Sequence, residues 1–153
     1  RECSIKTLVH DVVRDLSAFA RQKGHTLRVD VPDVKVTCDV EKVKSVIYNL
    51  LDNAIKFTPE GGSIEITAEE ISDAESGKNY VKFCVADTGV GIPKDELPKI
   101  FEAFYEVGGY LSHRRGMGVG LFVVRSVIEA HGGRVWAESE VGRGSRFFFT
   151  LPK

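Results

Sequence analysis

The 153-residue chain lacks the marks of several protein classes. It has three cysteines, one methionine and one tryptophan, and its apolar runs stop after a few residues. Nothing in it is long enough to cross a membrane as an apolar helix, and no secretory leader pattern is present. Cys3, Cys38 and Cys84 are odd in number, far apart and without CxxC spacing, so they read as reduced thiols and not as a disulfide frame or a zinc site. Neither sign of charge dominates: 21 basic against 22 acidic residues leave a net charge of -1, which argues against a nucleic-acid footprint. What is present is an ordinary globular composition, 42% hydrophobic and 28% charged, in a length that fits one domain spanning residues 1–153. The first residue is Arg1, not Met, so we expect a fragment of a longer protein.

The hydrophobic periodicity changes along the chain. Residues 5–23 carry Ile5, Leu8, Val9, Val12, Val13, Leu16, Phe19 and Ala20 at helical spacing, with Gly24 as a stop. Leu27, Val29 and Val31 alternate as a strand, and Val34 and Val36 suggest another. Asp39 is a plausible N-cap for a helix over 40–57, ended by the turn Pro59-Glu60-Gly61-Gly62. Two strands around 64–68 and 81–85 flank a polar hairpin loop at 72–79. A short helix is expected from Pro93, limited or kinked by Pro98. Residues 106–117, with three glycines and two arginines, read as a mobile loop. A helix over 119–130 stops at His131-Gly132-Gly133, and closing strands centre on 135–137 and 147–151. Three helices and at least five strands in mixed order predict an α+β fold, a two-layer sandwich with the helices on one face of a mostly antiparallel sheet.

Three segments could carry chemistry. In the 40–57 helix, Asn49, Asn53 and Lys56 stand at i, i+4 and i+7, within roughly 60° of one another and opposite the apolar face. Amide oxygens can coordinate Mg²⁺ and an ammonium can meet phosphate, although the same stripe alone also reads as a solvated helix face. Asp87-Thr88-Gly89-Val90-Gly91-Ile92 follows a strand; its glycines permit close backbone approach, and the carboxylate can accept from an exocyclic amine. A tight turn would need no more than this. Gly116-Met117-Gly118-Val119-Gly120 opens a helix, where exposed amides favour phosphate, or simply form a hinge. It is neither a Walker A motif nor a dinucleotide fingerprint. Between them, Phe101 and Phe104 could anchor a loop edge to the core.

Taken in order, these segments resemble the catalytic, ATP-binding domain of two-component sensor histidine kinases. Residues 49–59 (NLLDNAIKFTP) resemble the N box, 87–93 (DTGVGIP) the G1 box, 100–105 (IFEAFY) the F box and 116–121 (GMGVGL) the G2 box. The tail, from HGG at 131 to GSRFFFTLP at 144–152, is also similar. The resemblance implies the Bergerat α/β sandwich, with MgATP between the helix layer and a lid at 102–117. It implies that Asp87 bonds the adenine amine, with Gly91 and Thr150 near the base. Asn49 and Asn53 would hold Mg²⁺ and the phosphates, and Lys56 would neutralise phosphate charge. Gly118 and Gly120 would offer amides to phosphate, and Gly89, Ile92, Phe101, Phe104, Tyr105, Gly116, Val119 and Leu121 would complete the nucleotide site. The sequence departs from the family pattern twice. Glu106 stands where an arginine is common, leaving Arg114 or Arg115 in the lid to substitute, and Met117 replaces a usual threonine.

The reaction so implied is phosphoryl transfer to a histidine, and none of His10, His25, His113 or His131 sits in an acceptor motif. The acceptor is therefore expected on a separate dimerisation domain, with a response regulator as a further partner. No contact of this domain with nucleic acid or membrane is expected, and its expected place is the cytoplasm, whether or not the parent protein is membrane-anchored. Two other readings stay open: an ATPase of the same fold, and a non-catalytic nucleotide-sensing module. The first is disfavoured because Asn49 stands where such ATPases carry a water-activating glutamate, and an amide is no general base.

Overall fold

The computed structural model describes residues 1–102, 105–106, 109–110 and 119–153. The first helix, α1 (Ile5–Gln22), starts at Ser4, whose hydroxyl oxygen accepts from the Thr7 amide at 3.4 Å. Its buried stripe is Ile5, Leu8, Val9, Val12, Leu16 and Ala20. It stops where Gly24 turns to φ +68°, which brings the Gly24 and His25 amides back onto the Arg21 and Ala20 carbonyls. The second helix, α2 (Val40–Phe57), is capped by Asp39, which accepts from the Lys42 amide at 3.2 Å, as the sequence predicts. It buries Val43, Val46, Ile47, Leu50, Leu51, Ala54 and Ile55.

No glycine closes α2. Its last carbonyls are met from the α1 side instead. The Lys23 ammonium donates to the carbonyls of Ile55 (2.8 Å) and Lys56 (3.2 Å), and His25 Nε2 lies 2.9 Å from that of Thr58. A lysine ammonium at a helix C-terminus satisfies orphan carbonyls and suits the dipole. The third helix, α3 (Val119–Ala130), ends at Gly132 and Gly133, whose amides return to Glu129 and Ile128. His131 then joins α3 to α2. Its Nδ1–H donates to Val127 O at 2.8 Å, and its Nε2 accepts from the Asp39 amide at 3.1 Å. Both ring nitrogens are thus used structurally.

The helices cover one face of a five-stranded sheet whose order is β2 (Thr26–Asp30), β4 (Ser63–Ser72), β5 (Asn79–Asp87), β9 (Gly144–Pro152), β8 (Val135–Glu140). The β2–β4 pair is parallel and the other three pairs are antiparallel. This is the expected α/β sandwich. Ile64, Ile66, Val81, Phe83, Val85, Phe147, Phe149 and Leu151 face the helices and are buried. Phe83 and Phe149, paired across β5 and β9, stack at 4.4 Å. On the open face Trp136 stacks on Phe148 at 5.2 Å, with Lys82 over the Phe148 ring and Arg134 over the indole. A shallow depression of about 260 Å³ lies there too, between Lys82 and Arg146. No helix among the described residues is long and apolar enough to cross a membrane.

Three features differ from expectation. No α-helix starts at Pro93. A turn (Glu96 amide to Pro93 O, 3.0 Å) leads to a single 3₁₀ turn, Leu97–Lys99, because Pro98 has no N–H to donate. Within the loop expected at 106–117, two short strands, β6 (Tyr105–Glu106) and β7 (Gly109–Tyr110), pair as a ribbon; the rest of that loop lies outside the described residues.

The third is an N-terminal strand, β1 (Glu2–Ser4), that pairs with β3 (Lys35–Thr37) and brings Cys3 Sγ to 3.3 Å from Cys38 Sγ. The thiols are free as expected, but two of them are neighbours. Burial first, then the bond to Cys3, pushes the Cys38 thiol up to about 12. At pH 8 almost no Cys38 thiolate exists in the fold, so iodoacetamide is expected to alkylate it roughly 100-fold or more slowly in native than in denatured protein. Peptide mass mapping of timed samples measures this, and equal rates would contradict the buried pair.

Candidate nucleotide site

The sheet register explains how a polar site forms at the end of an apolar layer. On the helix-facing side, one lateral row runs Leu27, Ile64, Asp87, Ser145, Ser139 across all five strands. Two apolar members are thus followed by a carboxylate and two hydroxyls. The rows farther in, such as Val85 opposite Phe147, remain hydrophobic. The row therefore marks where the core ends and a ligand with polar edges can begin.

Asp87 is half-buried at the end of β5. Its Oδ1 accepts from the Gly89 amide (2.8 Å) and the Ser145 amide (3.2 Å), while Oδ2 has no protein partner among the described residues. Burial raises its pKa above the ordinary carboxylate value, and the two amide bonds only partly oppose this. A raised folded-state pKa means that stability is greatest with the carboxyl protonated and is lost as pH rises through that pKa. Above that pKa the ionised carboxylate is therefore a standing cost of the fold. The neutral isostere in Asp87→Asn, which keeps an acceptor oxygen for both amides, is expected to raise the thermal midpoint of the ligand-free protein at pH 7. Differential scanning calorimetry at pH 7 and pH 4 checks this. A midpoint that falls in the variant would show the buried charge to be stabilising.

The loop after Asp87 is held against three neighbours. The Val90 amide donates to Phe57 O, the Gly142 amide donates to Val90 O, and the Ile92 amide donates to Ser139 Oγ at 2.7 Å. Two glycines are required by space. A Cβ on Gly89 would lie 2.6 Å from Phe57 O, and one on Gly91, at φ +79°, would collide with the Glu140 carbonyl. Ile92 is buried, and Phe101 packs edge-on against Phe147 at 6.2 Å, closing the far wall.

The α2 stripe meets this region from the helix layer. Asn49 and Asn53 are half-buried, and neither side chain has a hydrogen-bond partner among the described residues. Lys56 is exposed and pairs with Asp52 at 3.0 Å. The start of α3 lies alongside, since a Cβ on Gly120 would sit 3.7 Å from Asn49 Oδ1. No group of three His, Cys, Asp or Glu residues could hold a metal among the described residues. Two neutral amide oxygens one helical turn apart do fit Mg²⁺, which takes few protein ligands and shares its shell with water and phosphate.

Of the residues predicted from sequence, the structure places Asp87, Gly89, Gly91, Ile92 and Phe101 around the end of β5. It places Asn49, Asn53 and Lys56 on one face of α2, with Gly120 beside Asn49 and Leu121 packed at the core margin. Val119 is the first residue of α3 and Tyr105 lies in β6. Phe104, Arg114, Arg115, Gly116 and Gly118 lie outside the described residues. Thr150 is not brought to Asp87. It pairs with Lys82, five residues and roughly 17 Å along β5, and its hydroxyl accepts from the Arg134 amide at 3.0 Å. The residue of β9 opposite Asp87 is Ser145, and Ser139 lies beyond it. Strand parity carried this signal: Ser145 shares a face with Phe147, Phe149 and Leu151, whereas Thr150 takes the other.

Comparison with known proteins agrees with this fold. The family profile described as histidine kinase-, DNA gyrase B- and HSP90-like ATPase matches residues 38–153. The adaptive-response sensory kinase SasA of Synechococcus elongatus is 39% identical over 99% of this chain, and the chain spans 38% of SasA's length. Among solved structures, the catalytic domain of histidine kinase ThkA superposes with a TM-score of 0.84 at 30% identity, covering all of this chain and 95% of that one. ThkA also matches in its complex with the response regulator protein TrrA (TM-score 0.78, 29% identity, covering all of this chain and 41% of that one). Full-length ShkA in complex with AMPPNP matches at 33% identity and TM-score 0.81, over 99% of this chain and 30% of its own. The chain belongs to the histidine kinase-, DNA gyrase B- and HSP90-like ATPase family, in the form of a sensor histidine kinase catalytic domain.

Proposed function

We propose that residues 1–153 form one MgATP-binding unit that presents a γ-phosphoryl group to a histidine on a separate dimerisation domain, in cytoplasmic two-component signalling. The observation that carries the reading is the half-satisfied carboxylate of Asp87. Oδ1 is fixed by two backbone amides, and Oδ2 is left to accept from an exocyclic amine, as adenine N6 offers. The AMPPNP complex of ShkA supports a nucleotide ligand, and the ThkA–TrrA complex supports a response regulator as a downstream partner.

In this reading Gly89 and Gly91 admit the base edge, with Ile92 and Phe101 as its apolar wall. Asn49 and Asn53 hold Mg²⁺ with the phosphates, and Lys56 exchanges Asp52 for phosphate oxygens. The bound cation supplies charge neutralisation on the triphosphate. The acceptor imidazole forms the new N–P bond, the bond from the γ-phosphorus to ADP breaks, and the imidazole proton passes to a base on the acceptor domain. Asn49 does not activate water, which favours transfer over hydrolysis.

Titration calorimetry tests the base contact. Asp87→Asn is expected to weaken ATP binding by about 1.5–3 kcal/mol, the range for a hydrogen bond to a charged group. An unchanged affinity in the folded variant would remove Asp87 from the site. Repeating the titration of Asn53→Ala with and without Mg²⁺ separates a metal ligand, whose loss appears only with the cation, from a structural residue, whose loss appears in both.

A further inference from the structure

Ser139 is the last polar member of the row that begins at Asp87, and it touches no part of the proposed base edge directly. Its hydroxyl oxygen lies within hydrogen-bond distance of three groups: the Ile92 amide at 2.7 Å, the Gly144 carbonyl at 3.0 Å and the Ser145 hydroxyl at 2.7 Å. A hydroxyl has one proton and two lone pairs. The Ile92 N–H can only donate and the Gly144 carbonyl can only accept. Only one assignment satisfies every contact: Ser139 gives its proton to Gly144 O, and its two lone pairs accept from Ile92 N–H and from Ser145 O–H. The reverse orientation takes this donor away from Gly144 O. Ser145 is buried, as is Gly144, so the complete arrangement is strongly preferred.

The consequence falls on Ser145. With its proton committed to Ser139, its oxygen has only lone pairs to offer. It stands directly opposite Asp87, whose Oδ1 accepts from its amide. The polar end of the row then consists of acceptors alone, the free Asp87 Oδ2 and the Ser145 oxygen. Two acceptors side by side welcome a donating edge, such as a purine 6-amine or a water oriented by it, and repel a purine 6-carbonyl.

We propose that Ser139 is a specificity-positioning residue, which orients the Ser145 hydroxyl so that the base site selects a 6-amino over a 6-oxo purine nucleotide. This rests on the reading of Asp87 as the acceptor for the base amine. Without Ser139, the Ser145 proton is free to turn toward a 6-carbonyl, and the selection weakens.

The test is calorimetric affinity for ATP and for ITP, which carries a 6-carbonyl, on the protein and four variants. Ser139→Ala is expected to narrow the ATP-over-ITP ratio by about five-fold, the scale of one hydrogen bond. Ser139→Thr retains the hydroxyl and is expected to keep the original ratio. In a Ser145→Ala background, Ser139→Ala is expected to leave the ratio where Ser145→Ala puts it, because the proton it frees is absent. A purely structural Ser139 would weaken both nucleotides together and leave the ratio unchanged, and that result in folded Ser139→Ala overturns the proposal. If Ser139→Ala does not fold, the single Ser145→Ala variant decides: a ratio equal to that of the parent protein overturns it equally. Asp87→Asn is the control for the underlying reading. If it leaves ATP affinity intact, the base site itself is misplaced, whatever the Ser139 variants do.

Discussion

Incubated with MgATP labelled at the γ-phosphate, the 153-residue chain alone is expected to acquire almost no label. None of the three histidines among the described residues is presented as an acceptor, and none of the four sits in an acceptor motif. His131 spends both ring nitrogens on Val127 O and the Asp39 amide, and His25 faces the Thr58 and Pro59 carbonyls. His10 lies exposed on α1, followed by Asp11-Val12-Val13 and no proline, and His113 lies outside the described residues. Adding a dimerisation domain that bears the acceptor histidine is expected to transfer label onto that domain. Transfer in trans is slow relative to the tethered protein, because the tether supplies an effective concentration in the millimolar range that a micromolar mixture lacks. The label is a phosphoramidate, lost in acid and kept in base. Phosphate release without a partner is expected to be slower still, since Asn49 offers no base to water. Acid-stable label on the chain itself would point to a hydroxyl acceptor, and rapid release of free phosphate would point to the gyrase-like branch of the family.

The second large effect concerns stability. Phe149 is almost fully buried, stacked on Phe83 between the two most central strands. Phe149→Ala is expected to cost about 3–5 kcal/mol through lost burial and an unfilled cavity. Against a total stability of about 5–15 kcal/mol, this lowers the thermal midpoint by about 6–20 °C. Phe148→Ala, one residue away on the open face against Trp136, is the comparison. Phe148 is also buried, but under Trp136 and Lys82 on the open face and outside the core between the layers, so the expected loss is smaller. Equal losses would mean that the open face is as tightly packed as the core, contrary to the layering described above.

The helices were legible because their signals are local. Asp39 and the apolar spacing through Ile55 mark α2, and Gly24, Gly132 and Gly133 mark two of the three helix ends. The placement of Asp87 at a strand end and of the Asn49–Asn53 stripe on one helix face was legible for the same reason, since each motif sits in one short segment. What was not legible depends on partners distant in sequence. Three residues of β1 carry no periodicity, and their pairing with β3 is what brings Cys3 to Cys38 across 35 positions. The limit that Pro98 sets on the helix expected at Pro93 was legible, but not that it leaves only the 3₁₀ turn Leu97–Lys99. The family resemblance implied Thr150 near the base. The register of β9 against β5 sets Ser145, not Thr150, opposite Asp87, and the hydroxyl of Ser139 enters only once β8 pairs with β9.

The row across the sheet also sets an order of construction during translation. Asp87 is held by an amide that lies 58 residues later in the chain, and β9 separates β5 from β8. At ribosomal rates of about 5–20 residues per second, Ser145 is made roughly 3–12 s after Asp87. Until then the nascent chain has its glycine loop and its asparagine helix but not the strand that pairs with β5 and holds Asp87. Products truncated before Ser145 are therefore expected neither to fold nor to sequester ATP. Nucleotide competence arrives late and all at once, so every copy able to bind ATP has already been translated through its central strands.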